Sequence, residues 1–166
     1  FIQGVDRRVR AREECRGDII GSTGHGGQEA YAQSLYCMVE EKHLEKYIKF
    51  VGGVPHKDIV VHLQRADIFV NTSLTGSLDK AGLEAMATGL PVLTCNEAFA
   101  EVFGEHHDLL MFAKKNPAEL AEKISTLIRM DVGSRTRLRQ FMRAVVVEHH
   151  GISGLVEKIT GTFLKL

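Results

Sequence analysis

The sequence predicts an α/β fold built on a parallel sheet, and three observations carry that prediction. Short apolar runs alternate along the chain with amphipathic segments in which apolar side chains recur every three or four positions. The pitch of the alternation suits β-α-β units, whose right-handed crossovers place helices on both faces of a sheet of five or six strands. The length, 166 residues, with 44% hydrophobic and 25% charged residues, suits one globular domain with a core of its own.

Taken in order, Asp18-Ile19-Ile20-Gly21 reads as a short strand running into a glycine-rich turn. Tyr31, Leu35, Met38 and Val39 follow at i, i+4, i+7 and i+8 and mark a helix. Tyr47-Ile48-Lys49-Phe50-Val51 is a strand stopped by Gly52-Gly53. Pro55 suits a first helical turn, and Ile59, Val60 and Leu63 give that helix an apolar side. Asp67-Ile68-Phe69-Val70-Asn71 is the next strand. After a polar loop, 72–77, a helix is expected over 78–88, with Ser77 as its N-cap and Gly89 and Pro91 as its stop. Pro91-Val92-Leu93-Thr94-Cys95 is a strand, and 109–112 another.

Beyond that point the pattern is helical. Leu120, Ile124, Leu127 and Ile128 form one stripe. Leu138, Phe141, Met142 and Val145 form a second, and Ile152, Leu155, Val156, Ile159 and Phe163 a third. The first 17 residues hold Arg7, Arg8, Arg10, Arg12 and Arg16 among few apolar side chains. They are expected to form a solvated helix or a frayed end, with a phosphate-binding patch as the alternative. The division is therefore a poorly defined segment 1–17, an α/β unit 18–150 and a terminal helix 151–166.

Lys plus Arg and Asp plus Glu are both 21, so the formal charge is zero, which argues against a broad electrostatic nucleic-acid binder. Cys15, Cys37 and Cys95 are widely spaced, with no C-x-x-C pair, which argues against a disulfide framework or a zinc cage. A reducing, cytoplasmic setting is the expectation. The adjacent pairs His106-His107 and His149-His150 lack a metal-binding spacing, so no metal is expected. No apolar run approaches the ~20 residues of a membrane span. The chain opens with Phe1 and no signal-peptide pattern, and a longer parent protein is expected.

In an open α/β sheet, ligands bind beyond the carboxyl ends of the strands, which puts three loops in view: 21–27, 52–55 and 71–77. The first, Gly21-Ser22-Thr23-Gly24-His25-Gly26-Gly27, lacks both the Lys-Ser/Thr ending of a P-loop and the third glycine of a dinucleotide turn, so a plain turn is the simpler reading. The third leads hydroxyls and a glycine into a helix N-terminus, whose unpaired N–H groups and positive dipole end suit an anion. Lys80 and Glu84 share one helix face there. They stand either as an ordinary surface pair, worth about 0.2–0.5 kcal/mol, or as a cation for phosphate and an acceptor for sugar hydroxyls.

Within residues 49–95 the chain reads Phe50-Val51-Gly52-Gly53-Val54-Pro55, then Ala66-Asp67-Ile68-Phe69-Val70-Asn71-Thr72-Ser73, then Glu84-Ala85-Met86-Ala87-Thr88-Gly89-Leu90-Pro91-Val92. In order and spacing these stretches resemble the donor-binding half of retaining GT-B glycosyltransferases. The resemblance extends more loosely over roughly 18–150. It implies a Rossmann-like three-layer α/β/α domain with extra C-terminal helices. It also implies transfer of a hexose-type sugar from a nucleotide diphosphate sugar to a hydroxyl acceptor with retention, the acceptor site lying on an N-terminal domain of the same parent chain.

By the resemblance Glu84 holds the ribose, and backbone near Val51 and Val54 meets the base. The family's first glutamate, beside the transferred sugar, falls on Gly76. Its basic pair for the diphosphate has no counterpart in Arg7 to Arg16, which leaves Lys80 and the backbone of Gly76, Ser77 and Leu78 for that task. No cofactor or metal is implied, and no catalytic side chain is assigned within this chain. The isolated chain is expected to be inactive. Peripheral membrane association of the parent stays open. So do a non-catalytic nucleotide-sugar binding module, a different GT-B enzyme such as a sugar-nucleotide epimerase, and a signalling or interaction domain on the same scaffold.

Overall fold

A computed structural model describes residues 1–22, 28–74 and 76–151. Four strands pair in parallel. β1 (Gly17–Ile20) lies beside β2 (Ile48–Gly52), and β3 (Phe69–Asn71) beside β4 (Val92–Thr94). Eight α-helices accompany them among the described residues: α1 (Ile2–Arg10), α2 (Glu29–Glu41), α3 (Ile59–Arg65), α4 (Lys80–Ala87), α5 (Ala100–Phe103), α6 (His107–Leu110), α7 (Pro117–Arg129) and α8 (Val132–His149). All three residues of β4 are buried, as expected for a parallel strand covered on both faces.

The larger core surrounds β4. Met86, Leu90, Val92, Leu93, Phe99, Phe103 and Leu110 are almost fully enclosed there, joined by Leu120 and Ile124 of α7 and Leu138 and Met142 of α8. A smaller core joins Ile2 and Val5 of α1 to Val39, Leu44 and Ile48. Helix α4 packs on α8, and α1 packs on α7.

Three local stops fix the framework. Helix α4 ends on Gly89, whose φ of 76° lets its N–H reach the Met86 carbonyl while the Leu90 N–H reaches that of Ala85. Asn116 caps α7 by accepting from the Glu119 N–H, with Pro117 in the first turn. Asp131 caps α8 by accepting from the Ser134 N–H.

The structure departs from the sequence reading in five places. A single sheet of five or six strands was expected. Among the described residues there are two parallel pairs, plus one bridge between Thr94 and Met111. The predicted strand 109–112 shrinks to that bridge because His107–Leu110 completes a helical turn, leaving only Met111 and Phe112 extended enough to reach Thr94. The opening segment is neither frayed nor merely solvated. Ile2 and Val5 are buried, and Arg8, 3% exposed, is held by Glu13 at 2.9 Å and by Ser125 of α7. Tyr31, placed on the apolar stripe of α2, is 68% exposed, and Val39 is the one fully buried member of that stripe. The fifth departure concerns the start of α4 and belongs with the site. The predicted stripe Ile152 to Phe163 and loop residues 23–27 lie outside the described residues.

Candidate functional site

The carboxyl ends of β2, β3 and β4 and the N-terminal end of α4 bring the candidate residues together. Val51 is the penultimate residue of β2 and Val54 stands in the turn after it, both half-buried. A Cβ on Gly53 would lie 3.4 Å from the Cβ of Ser22, so the turns after β1 and β2 run side by side. Past Val54 the chain bends over Pro55 into a short 3-10 turn, and His56 at its start reaches across to α4.

There, His56 Nε2 lies 2.7 Å from Glu84 Oε1, and Lys80 Nζ lies 3.4 Å from the same oxygen and 3.3 Å from His56 Nε2. An ionised carboxylate can only accept, so His56 Nε2 carries a hydrogen and donates it to Glu84. That nitrogen then has no lone pair for Lys80, whose ammonium is directed to Glu84. Burial pushes the Glu84 carboxyl up, but the hydrogen bonds and charges of His56 and Lys80 together outweigh it and hold the group below the usual carboxylate range. Glu84 is 27% exposed, poised at the surface as a fixed acceptor.

The loop between β3 and α4 is the second part of the site. Gly76 is exposed with φ at 71°, a left-handed conformation that glycine adopts without penalty. A Cβ placed there would meet nothing within 4 Å, so the loop is open on that side. Ser77 and Leu78 are also exposed.

The expected N-cap was Ser77, and here the structure corrects the reading: helix α4 begins at Lys80 and its N-cap is Asp79, in extended backbone with φ −76° and ψ 125°. Asp79 makes no capping hydrogen bond. Its carboxylate is drawn inward, where Oδ2 accepts from Asn71 Nδ2 at 2.7 Å and from Asn96 Nδ2 at 3.1 Å. Asn96 Nδ2 also donates to the Ser77 carbonyl at 2.7 Å. Sequence reading missed three residues, His56, Asn71 and Asn96. The asparagines sat at strand ends, where turn chemistry explains them equally well. His56 had only its place two residues past Val54 to mark it.

All seven sequence-predicted site residues therefore lie at one end of the strands, at the end of β2 and the turn after it or from the 76–78 loop into α4. The geometry joins Lys80 to Glu84 through a shared oxygen and ties the Val54 turn to both through His56. A separate open groove on α1, lined by Gln3, Asp6, Arg7, Arg10, Lys42 and Pro117, is basic, but Asp6 there is already paired with Arg10 at 2.8 Å and Lys42 at 3.1 Å.

Residues 1–130 match the model of a protein family described as glycosyl transferases group 1. The chain is 32% identical over 116 residues to the amylovoran biosynthesis glycosyltransferase AmsK of Erwinia amylovora, covering 66% of this chain and 27% of AmsK. It is 29% identical over 150 residues to the D-inositol 3-phosphate glycosyltransferase of Corynebacterium glutamicum, covering 90% of this chain and 33% of that enzyme. It thus spans about a third or less of these two relatives. Among solved structures, HepE of Anabaena in complex with UDP superposes with a TM-score of 0.82 at 20% identity, over 98% of this chain and 44% of HepE. The C-terminal domain of LpcC, a glycosyl transferase group 1 family protein of Francisella tularensis, superposes with a TM-score of 0.78 at 22% identity, over 92% of this chain and 78% of that domain. These likenesses give the fold as Rossmann-like α/β.

Proposed function

The chain belongs to the glycosyl transferases group 1 family and has the fold of a GT-B C-terminal domain, and from that premise we propose that it is the donor-binding half of a longer glycosyltransferase. In this reading the parent transfers a hexose-type sugar from a nucleotide diphosphate sugar to a hydroxyl acceptor with retention. The acceptor site belongs to an N-terminal domain of the parent, and transfer takes place in the cleft between the two.

The observation that carries the reading is the placement of Glu84. Its carboxylate is held ionised on α4, directly beside the turn that follows β2. An acceptor-only group with two oxygens suits the paired hydroxyls of a ribose, and the base then lies over the backbone near Val51 and Val54. One helical turn away, the first N–H groups of α4, the open backbone at Gly76, Ser77 and Leu78 and the Lys80 ammonium offer positive potential to the diphosphate. HepE, similar in fold, binds UDP, which supports a nucleotide ligand of this kind.

Gly76 stands where the family pattern has its first glutamate, so the sugar has a backbone N–H there in place of a carboxylate. That substitution favours one rival reading, a nucleotide-sugar binding module that transfers nothing. The two are separated by a panel of UDP- and GDP-sugars offered to the 166-residue chain and to its longer parent. The chain alone should bind a donor and transfer nothing, because transfer needs donor and acceptor held at reacting distance, which is worth several kcal/mol of barrier (about 7–11 in favourable cases). The parent should transfer. Transfer by the chain alone would place an acceptor site within these residues and sink the two-domain reading; a parent that binds donor but never transfers would establish the binding module.

A further inference from the structure

Glu84 and Lys80 are used by the reading above, but the polar network beneath the 76–79 loop is not. It joins the ends of two strands to the start of α4. Asn96, 1% exposed, follows β4, and Asn71, 9% exposed, ends β3. Each is bonded through both its oxygen and its nitrogen. Asn71 Oδ1 accepts from the Ser73 N–H at 2.8 Å while Nδ2 donates to Asp79. Asn96 Oδ1 accepts from the Ala98 N–H at 3.1 Å, and its two amide hydrogens serve the Ser77 carbonyl and Asp79 Oδ2. Thr94 Oγ1, itself buried, accepts from the Asn96 N–H at 3.0 Å and fixes the base of the arrangement.

Two consequences follow from this geometry. The peptide between Ser77 and Leu78 is planar and trans, so its carbonyl and its N–H point to opposite sides. Drawing the Ser77 carbonyl inward onto Asn96 therefore turns the Leu78 N–H outward, to the open side of the loop. An aspartate at an N-cap ordinarily accepts from the N–H groups of the first turn and would occupy that end with its own negative charge. Here both asparagine amides hold the Asp79 carboxylate away from those groups, and no capping bond forms. The Asp79 side chain therefore takes none of the first-turn N–H groups of α4.

We propose that Asn71, Asp79 and Asn96 are positioning residues that hold the 76–79 loop so that the Leu78 N–H and the first-turn N–H groups of α4 face the donor diphosphate. The inference rests on the donor-site reading and gives the acid nearest to Gly76 an inward role: Asp79 orients the loop and does not contact the sugar. It also accounts for how an aspartate can stand at the mouth of an anion site, since its charge is turned inward and hydrogen-bonded by two neutral amides.

The test compares UDP with uridine and GDP with guanosine, by NMR titration of the 166-residue chain and its variants. Asp79→Ala and Asn96→Ala should each weaken the diphosphate by about 10-fold, the effect of losing one well-placed charged hydrogen bond, and change the nucleoside by less than about 2-fold. Asp79→Asn keeps an acceptor for both amides and should stay within about 3-fold of the parent sequence. Backbone amide order parameters should fall at Leu78 and Lys80 in Asp79→Ala and not in Asp79→Asn, a readout that needs no ligand. Equal losses for diphosphate and nucleoside would make the network a general structural brace and overturn the proposal, as would unchanged order parameters and affinity. A failure of Asp79→Asn to restore the diphosphate would show that the carboxylate itself meets the donor, which also overturns it. An unmutated chain that binds neither UDP nor GDP would instead refute the donor-site reading, and the inference with it.

Discussion

Glu84→Ala should weaken nucleotide binding by about 10-fold to 100-fold while leaving the fold intact. A hydrogen bond to a charged acceptor is worth about 1.5–3 kcal/mol, and that interval spans the stated loss. The fold survives because Glu84 lies on the outer face of α4, whereas Gly82, Ala85 and Met86 face the core. Calorimetry with nucleoside and nucleoside diphosphate would show both weakened, since the ribose is common to both. Affinity unchanged in a folded variant would reduce Glu84 to one member of a surface ion cluster with His56 and Lys80. The pH dependence has a definite sign. The folded protein holds the Glu84 carboxyl below its usual range, so the carboxylate's contribution is fully present above its unfolded value and is lost as pH falls through the folded value. Between about pH 7 and about pH 5 the carboxylate remains ionised, and its contribution to binding should not weaken there.

Gly82→Val should cost about 2–3 kcal/mol of stability, near the upper end of what overpacking a core does. Gly82 is buried on α4, and even a bare Cβ would lie 2.6 Å from Cζ of Phe99. Phe99 cannot easily yield, because it is fully buried and packs on Phe103 with ring centroids 5.6 Å apart. Relief would have to come from lifting α4, the helix that carries Lys80 and Glu84. The variant should therefore melt lower and also bind nucleotide more weakly. Chemical denaturation is the measurement; a loss below about 0.5 kcal/mol would mean that the helix and the Phe99 ring have room to separate. The cause is close packing, since φ at Gly82 is not among the positive values.

What could be read from the sequence divides along physical lines. Short apolar runs gave β1 to β4 nearly in place, because a parallel strand covered by helices is buried on both faces, as β4 is. Gly89 and Pro91 gave the end of α4, because an αL stop leaves a glycine where other residues are strained. The 109–112 segment misled because four apolar residues in a row suit a strand and a buried helical turn equally well. Segment 1–17 misled because its arginines were counted as solvated, whereas Arg8 finds Glu13 and Ser125 at distances of 5 and 117 residues along the chain, and such pairing has no local signature.

The site shows the same division. Glu84 was visible through its motif and spacing. The start of α4 was displaced by two residues because Ser77 and Asp79 are both good caps, and the choice was made by Asn71 and Asn96 from other strands. His56 meets Glu84 across 28 residues of sequence, a contact made only when β2 and α4 are laid side by side.

The central claim is that one site, at the strand ends beside α4, takes the donor nucleotide. Titrating the isotopically labelled 166-residue chain with UDP and with GDP, and following every assigned amide, tests it most directly. The account predicts that at least one of the two shifts the amides of Val51, Val54, Gly76, Ser77, Leu78, Lys80 and Glu84 together, along one saturation curve. Shifts confined to the basic groove of Arg7, Arg10 and Lys42 on α1, or no saturable shift with either nucleotide, would contradict it.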